Sequence, residues 1–326
     1  MPIPQAYSFT RYLSAKRTVD ERALNRHVWQ WLVTGLISEM RLQPLRLLEL
    51  GAGTGAMVER LLGAGALRNA VYTAIDADAD AIVQARNAFP QWAIAQGFQV
   101  TENGARWRLQ SQTQNVTLRL ETINLFDFIA RERHRQSWDL LIGHALLDLL
   151  DVPTALPRLF SVLQPGGYFY FPITFDGGSI LEPSIDAAYD AHIEALYHAT
   201  MDARMVRGQR SGDSCTGRHL FTHLRAMGAD VLSAGSSDWV VFAKPVDPTR
   251  AIGPASPKQY PADEAYFLHF IVHTMHTALA THAELDPERF ERWIQRRHAQ
   301  VEDGTLVYIA HQLDVAGRVS MQPQGR

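Results

Sequence analysis

The residues with the plainest chemical potential lie in Leu47-Leu48-Glu49-Leu50-Gly51-Ala52-Gly53-Thr54-Gly55, where an apolar run meets glycines at alternate positions. Glycine removes the side chains that would keep a ligand off the backbone at a strand-to-helix turn. The helix that follows Gly55 then offers its free N–H groups to a bound nucleotide. Asp76 ends a second apolar run roughly 20 residues beyond the glycines, the distance at which a carboxylate accepts hydrogen bonds from both ribose hydroxyls. His144, in Gly143-His144-Ala145-Leu146-Leu147-Asp148, falls at the end of a later apolar run, where ligands collect in open α/β sheets. An imidazole there can act as a base, line the cofactor pocket or satisfy a local hydrogen bond.

The elements that must position these residues follow from hydrophobic periodicity. Residues 45 to 51 read as a buried strand, 55 to 64 as a helix, 71 to 76 as a second strand and 78 to 89 as a second helix stopping before Pro90. From Phe98 to Glu121 apolar and polar residues alternate, and Asn103-Gly104 favours a type I′ turn, which predicts a β-hairpin leading into strand three. Strands at 138 to 143 and 167 to 173 flank a helix at 153 to 163, the second strand introduced by Pro165-Gly166-Gly167. A helical segment at 184 to 205 and a polar, Gly-rich stretch at 208 to 217 precede a helix at 217 to 227. Two strands, 230 to 234 and 239 to 244, are then joined by a connection short enough to require antiparallel pairing with each other. Beyond a linker with five prolines, Pro245 to Pro261, come helices at 262 to 281 and 287 to 302, with one more strand read at 305 to 315.

Composition narrows the classes. The 326 residues are 46% hydrophobic, enough for a substantial core, and a net charge of -3 gives no basic field for a nucleic-acid backbone. The single cysteine, Cys215, excludes an internal disulfide framework and points to a reducing compartment. No apolar run approaches a membrane span, and the expectation is a cytoplasmic protein that binds neither nucleic acid nor membrane, with homo-oligomerisation left open.

On these residues the chain resembles the class I S-adenosylmethionine-dependent methyltransferases of the small-molecule type, over roughly residues 45 to 245. Glu49-x-Gly51-x-Gly53-x-Gly55 is similar to that family's first motif, Asp76 to its ribose-binding acid, and Leu163-Gln164-Pro165-Gly166-Gly167 to its turn before strand five. The terminal strands are similar to its antiparallel seventh strand, which a standard dinucleotide-binding domain lacks. The resemblance implies a doubly wound, Rossmann-like α/β fold whose seven-stranded sheet is mostly parallel with an antiparallel last strand. An inserted hairpin, a helical cap and C-terminal helices would be added to it. It implies an N-terminal helical lid at 1 to 44, a core at 45 to 245 with insertions at 97 to 115 and 176 to 216, and a mainly helical extension at 246 to 326.

The same resemblance implies S-adenosyl-L-methionine as cofactor and a small-molecule methyl acceptor, and it implies residue roles. Glu49, Gly51, Gly53 and Gly55 would pack under the methionine and ribose parts, and Asp76 would hold the ribose. Asn124 and Leu125, with Asp127 as rival, would meet the adenine, and Tyr12 or Arg17 the methionine end. Two other readings stay open: Gly51, Gly53 and Ala56 also satisfy the G-x-G-x-x-G/A fingerprint of an NAD(P)-dependent oxidoreductase, and a regulatory protein could keep the fold without catalysis.

Acceptor contacts are expected from Phe175, from the arginines of the 204 to 218 stretch, chiefly Arg207 and Arg218, and from His269 and His273. His269, His273 and His276 share one helical face, a pattern that fits packing better than metal because no carboxylate partner falls at an established ligand spacing; no metal is expected. Asp186, Asp190 and Glu194 form an acidic stripe that could meet a cationic amine substrate but reads first as the exposed polar face of an amphipathic helix.

Overall fold

The structure is a computed structural model that describes residues 1–38, 43–132, 137–206, 208–245 and 258–321. In chain order its elements are α1 (Phe9–Ala23), α2 (Arg26–Ser38), β1 (Leu45–Leu50), α3 (Ala56–Gly63), β2 (Asn69–Asp76), α4 (Ala79–Ala95), β3 (Gln99–Asn103), β4 (Arg106–Gln110), β5 (Asn115–Thr122) and α5 (Leu125–Glu132). There follow β6 (Trp138–Gly143), α6 (Val152–Phe160), β7 (Leu163–Glu182), α7 (Ala187–Asp202), β8 (Met205–Val206), β9 (Gln209–Arg210), α8 (Thr216–Ala226) and β10 (Asp230–Ser236). The last are β11 (Trp239–Val241), β12 (Lys244–Pro245), β13 (Lys258–Gln259), α9 (Glu264–Leu279), α10 (Pro287–Glu302) and β14 (Val307–Arg318).

Two compact units emerge, each assembled from separated stretches. One comprises Met1–Ala23, Gly177–Ser214 and Asp238–Gln312; the other comprises Leu24–Asp176, Cys215–Ser237 and Leu313–Arg326. The division between Ala23 and Leu24 falls inside the stretch read as a single N-terminal lid.

The larger unit is α/β and doubly wound. Its strands run in the order β10-β14-β7-β6-β1-β2-β5-β4-β3. β1 pairs parallel with β2 and β6, β2 with β5, and β6 with β7. β1 is apolar almost throughout because helices cover both faces, and Leu47, Leu48 and Leu50 are each fully buried. Leu47, Tyr72 and Tyr170 pack on one side with Val28 and Leu32 of α2, Met57 and Leu61 of α3, and Phe89 of α4. Leu48 and Leu50 pack on the other with Phe128 of α5, Leu156 and Leu159 of α6, and Leu220 and Leu224 of α8. The hairpin β3–β4 forms with Asn103 opposite Arg106 and extends the sheet past β5, as Asn103-Gly104 predicts.

Three expectations are corrected. First, 230 to 236 and 239 to 241 do not pair with each other: each pairs antiparallel with β14, Ser236 opposite Leu313 and Trp239 opposite Ala310. The antiparallel strand of the sheet is therefore the last one, β14, from the stretch read as a mainly helical extension. With the added hairpin and β11 the sheet has ten strands among the described residues rather than seven. Second, α4 continues through Pro90 to Ala95. The lost N–H and ring crowding cost about 3 kcal/mol in a helix interior, and burial of Phe89 and Ala93 on either side of the proline offsets this. Third, Pro165-Gly166-Gly167 lies within β7 as an irregularity. Trp138 faces Leu163 and Leu140 faces Tyr168, so four residues of β7 span what one residue of β6 spans, and Gly166 takes φ +74°.

The smaller unit carries α1, α7, α9, α10, β11 and the hairpins β8–β9 and β12–β13. Arg22 forks onto the buried Glu264 at the start of α9, and the Trp239 indole donates to Asp20 at 2.9 Å. No helix among the described residues is long and apolar enough to cross a membrane.

Candidate cofactor site in the larger unit

Between β1 and α3 the chain makes a turn that only glycine tolerates easily: Gly51, Gly53 and Gly55 have φ of +65°, +53° and +86°. A Cβ on Gly51 would stand 3.2 Å from Leu146 Cδ1. The turn is tied to the neighbouring strand by its backbone, Ala52 N donating to the Ile75 carbonyl at 3.0 Å, and by Asp76. Oδ2 of Asp76 accepts from Gly53 N at 2.7 Å and Oδ1 from Asp78 N at 2.8 Å, so the acid expected to meet a ribose also braces the turn. Each carboxylate oxygen has a second acceptor site, which leaves capacity for a hydroxyl. Asp78 in turn caps α4, accepting from the amides of Asp80 and Ala81.

The next two strand ends complete the row. Ile123 N donates to the Asp76 carbonyl at 2.8 Å, placing Asn124 beside the end of β2. Asn124 Oδ1 accepts from Phe126 N at 2.9 Å and thereby starts α5, so the side chain expected at an adenine already has one structural task. Leu125 opens that helix half-buried, and Asp127 is exposed. At the end of β6, His144 precedes Ala145, whose φ of +49° is unusual for a residue with a Cβ; Ala145 N donates to the Pro172 carbonyl at 3.0 Å. Ile173 on β7 has φ +57°, held by the Asp314 carboxylate, which accepts its N–H at 2.8 Å and that of Asn25 at 2.9 Å. Backbone strain of this kind concentrates at ligand sites. Neither Ala145 nor Ile173 carries a sequence signal for it.

Beneath the turn lies a buried polar row that spacing alone does not reveal. Glu49 is 1% exposed and receives the Tyr72 hydroxyl on Oε2 at 2.8 Å. Burial pushes its carboxyl up to about 8, against the pull of the Tyr72 hydrogen bond and of Arg60. Arg60, on the flank of α3, was not among the expected site residues. A basic residue beside an amphipathic stripe reads as surface, and only the fold turns it inward.

The expected acceptor residues fare differently. Phe175, on β7, is half-buried. Arg218 is held by Asp176 through Nε at 2.9 and 3.1 Å and a third contact to the Asp176 carbonyl, so its charge is already matched rather than waiting for an anion. Arg207 lies outside the described residues. In the smaller unit, Arg17 pairs with Glu21 one turn on. The histidine stripe of α9 is engaged in packing: His269 is fully buried, with Nδ1 2.9 Å from Nδ1 of His298 and Nε2 3.1 Å from the Met1 carbonyl. His273 stacks on Tyr7 at 3.9 Å, and His276 faces Glu291 at 3.2 Å. The acidic stripe of α7 is likewise bound rather than solvated: Asp186 caps the helix, Asp190 pairs with the buried Arg297, and Glu194 accepts from Ser179 N.

No family model matches this chain, and no curated protein matches it. Among solved structures it is similar to the geranyl diphosphate C-methyltransferase of Streptomyces coelicolor, at 10% identity over 98% of this chain and 90% of that one, with a TM-score of 0.41. It is also similar to phosphoethanolamine N-methyltransferase 2 of Haemonchus contortus, at 10% identity over 98% and 61% of the two chains (TM-score 0.38). The [4+2]-cyclase SpnF is a third, at 16% identity over 99% and 100% (TM-score 0.38). At these identities and TM-scores, likeness to a solved structure carries no activity over to this chain.

Proposed function

We propose that this chain binds S-adenosylmethionine at the β1–α3 turn and transfers its methyl group in line to a small-molecule acceptor. One observation carries the reading: a three-glycine turn of positive φ, braced by Asp76, sits at the C-terminal ends of a parallel sheet into which β14 enters antiparallel between β7 and β10. The turn alone would suit a dinucleotide, and the antiparallel strand separates the two cases. The residues fit the group. The glycines leave the backbone open to close approach, Asp76 keeps acceptor capacity for ribose hydroxyls, and Asn124 Oδ1 and its amide nitrogen remain able to meet an adenine edge.

The bound group would supply a methyl on a positively charged sulfur, and the protein's share is orientation and exclusion of water. For an acceptor that must lose a proton, His144, at the end of β6, is the side chain we assign to take it. Isothermal titration with S-adenosylmethionine and S-adenosylhomocysteine tests the reading. Saturable one-site binding supports it, and a folded sample that binds neither overturns it.

A further inference from the structure

The buried row beneath the glycine turn contains an unmet demand. Arg60 lies in the second turn of α3, and helical side chains lean toward the helix N-terminus, so its guanidinium reaches back toward the glycines. It interacts electrostatically with Glu49, Tyr72 and Tyr170. Yet Nη1 and Nη2 are both buried and bond nothing among the described residues. Buried donors are otherwise satisfied almost everywhere in folded proteins, so a bare guanidinium fork asks for an acceptor. The neighbouring acids do not supply one: Glu49 Oε2 is bonded by Tyr72, and the Asp314 carboxylate serves the amides of Ile173 and Asn25. Two parallel N–H groups of a guanidinium match a carboxylate, and a buried carboxyl with one oxygen engaged matches an ammonium. Together the two groups match the head of a zwitterionic α-amino acid.

We propose that Arg60 and Glu49 hold the amino-acid end of the cofactor, Arg60 taking the carboxylate and Glu49 the ammonium. This rests on the cofactor reading above. The charged and titratable groups that act on Glu49 are Arg60 from α3 and Tyr72 and Asp76 from β2, while Tyr170 interacts with both Arg60 and Asp314. Burial and Asp76 oppose the anion, the Tyr72 hydroxyl and Arg60 favour it, and burial prevails. A ligand ammonium in direct contact reverses that balance. It outweighs the more distant Arg60 charge that the ligand carboxylate neutralises.

Titration calorimetry at pH 7 in two buffers of different ionisation enthalpy reads the proton directly. The two ligands are S-adenosylhomocysteine and 5′-methylthioadenosine, the same nucleoside without the amino-acid end. The wild type should release protons on binding S-adenosylhomocysteine and none on binding methylthioadenosine. Glu49→Gln should abolish the release. Arg60→Met should weaken S-adenosylhomocysteine about 10- to 100-fold while leaving methylthioadenosine unchanged; Arg60→Lys, which keeps the charge and loses the fork, gives the same direction should Arg60→Met not fold. Equal proton counts for the two ligands, or equal weakening of both by the Arg60 variant, would overturn this assignment alone. Failure of folded wild type to bind either ligand would overturn the cofactor reading and this assignment with it.

Discussion

Replacing Asp76 by alanine separates the two tasks the structure gives that carboxylate. It accepts from Gly53 N at 2.7 Å and Asp78 N at 2.8 Å. A hydrogen bond to a charged group contributes about 1.5–3 kcal/mol when desolvated. Asp76 is only half-buried, so solvent screening should bring the pair to about 2 kcal/mol, below the roughly 3–6 kcal/mol of two fully desolvated bonds. Asp76→Ala should therefore lower the urea midpoint by that equivalent without changing the slope of the transition. It should also weaken S-adenosylhomocysteine by a further 1.5–3 kcal/mol or so through the lost ribose contacts. Asp76→Asn keeps one carbonyl oxygen and cannot accept on its nitrogen, so it should retain about half of the stability term. An Asp76→Ala protein with unchanged urea midpoint and unchanged affinity would refute the assignment of both tasks. Loss of affinity with full stability would refute the bracing role alone.

Other expectations are simpler to state. Glu49 has a folded pKa near 8, well above its usual 4.5, so the folded state holds an extra proton between those values and stability should fall as pH rises through that window, by up to about 1.4 kcal/mol per pH unit. Glu49→Gln should flatten that slope in urea titrations across pH 5 to 8, and an unaltered slope would contradict it. His298 is pushed down to about 4 by burial and its histidine neighbours; its contribution should be complete above pH 6.5 and lost as pH falls toward 4, a trend His298→Gln should remove. Ala145→Gly relieves a positive φ and should raise stability by about 0.5–1 kcal/mol, detectable as a higher melting temperature. Gly51→Ala forces a side chain into positive φ against Leu146, and should cost at least about 1 kcal/mol of stability and impair cofactor binding together. Wild-type behaviour would show that the turn does not need glycine.

The parts of this molecule visible in the sequence are those whose constraints are local. Gly51, Gly53 and Gly55 stand out because positive φ and close approach leave few alternatives to glycine, and β1 and β6 are continuous apolar runs because helices cover both faces. Asn103-Gly104 likewise announces its own turn. What the sequence does not show depends on distant partners. The strands 230–236 and 239–241 look like a hairpin because a short connection joins them, and only β14, some 70 residues on, shows that each has another neighbour. Pro90 signals a helix end unless one knows that Phe89 and Ala93 are buried on either side of it. Side-chain partners are the hardest to read: His269 meets His298 and the Met1 carbonyl, and Arg218 meets Asp176, all far away in the chain. Nothing in the sequence marks Arg60, whose unbonded Nη1 and Nη2 exist only in the folded row of Glu49, Tyr72 and Tyr170.

A crystal structure of the protein grown with S-adenosylhomocysteine tests the central claim most directly. The account predicts the ligand lying over Gly51, Gly53 and Gly55, with its ribose hydroxyls within hydrogen-bond distance of Asp76. A ligand bound away from this turn, or a turn left empty at saturating concentration, would contradict it.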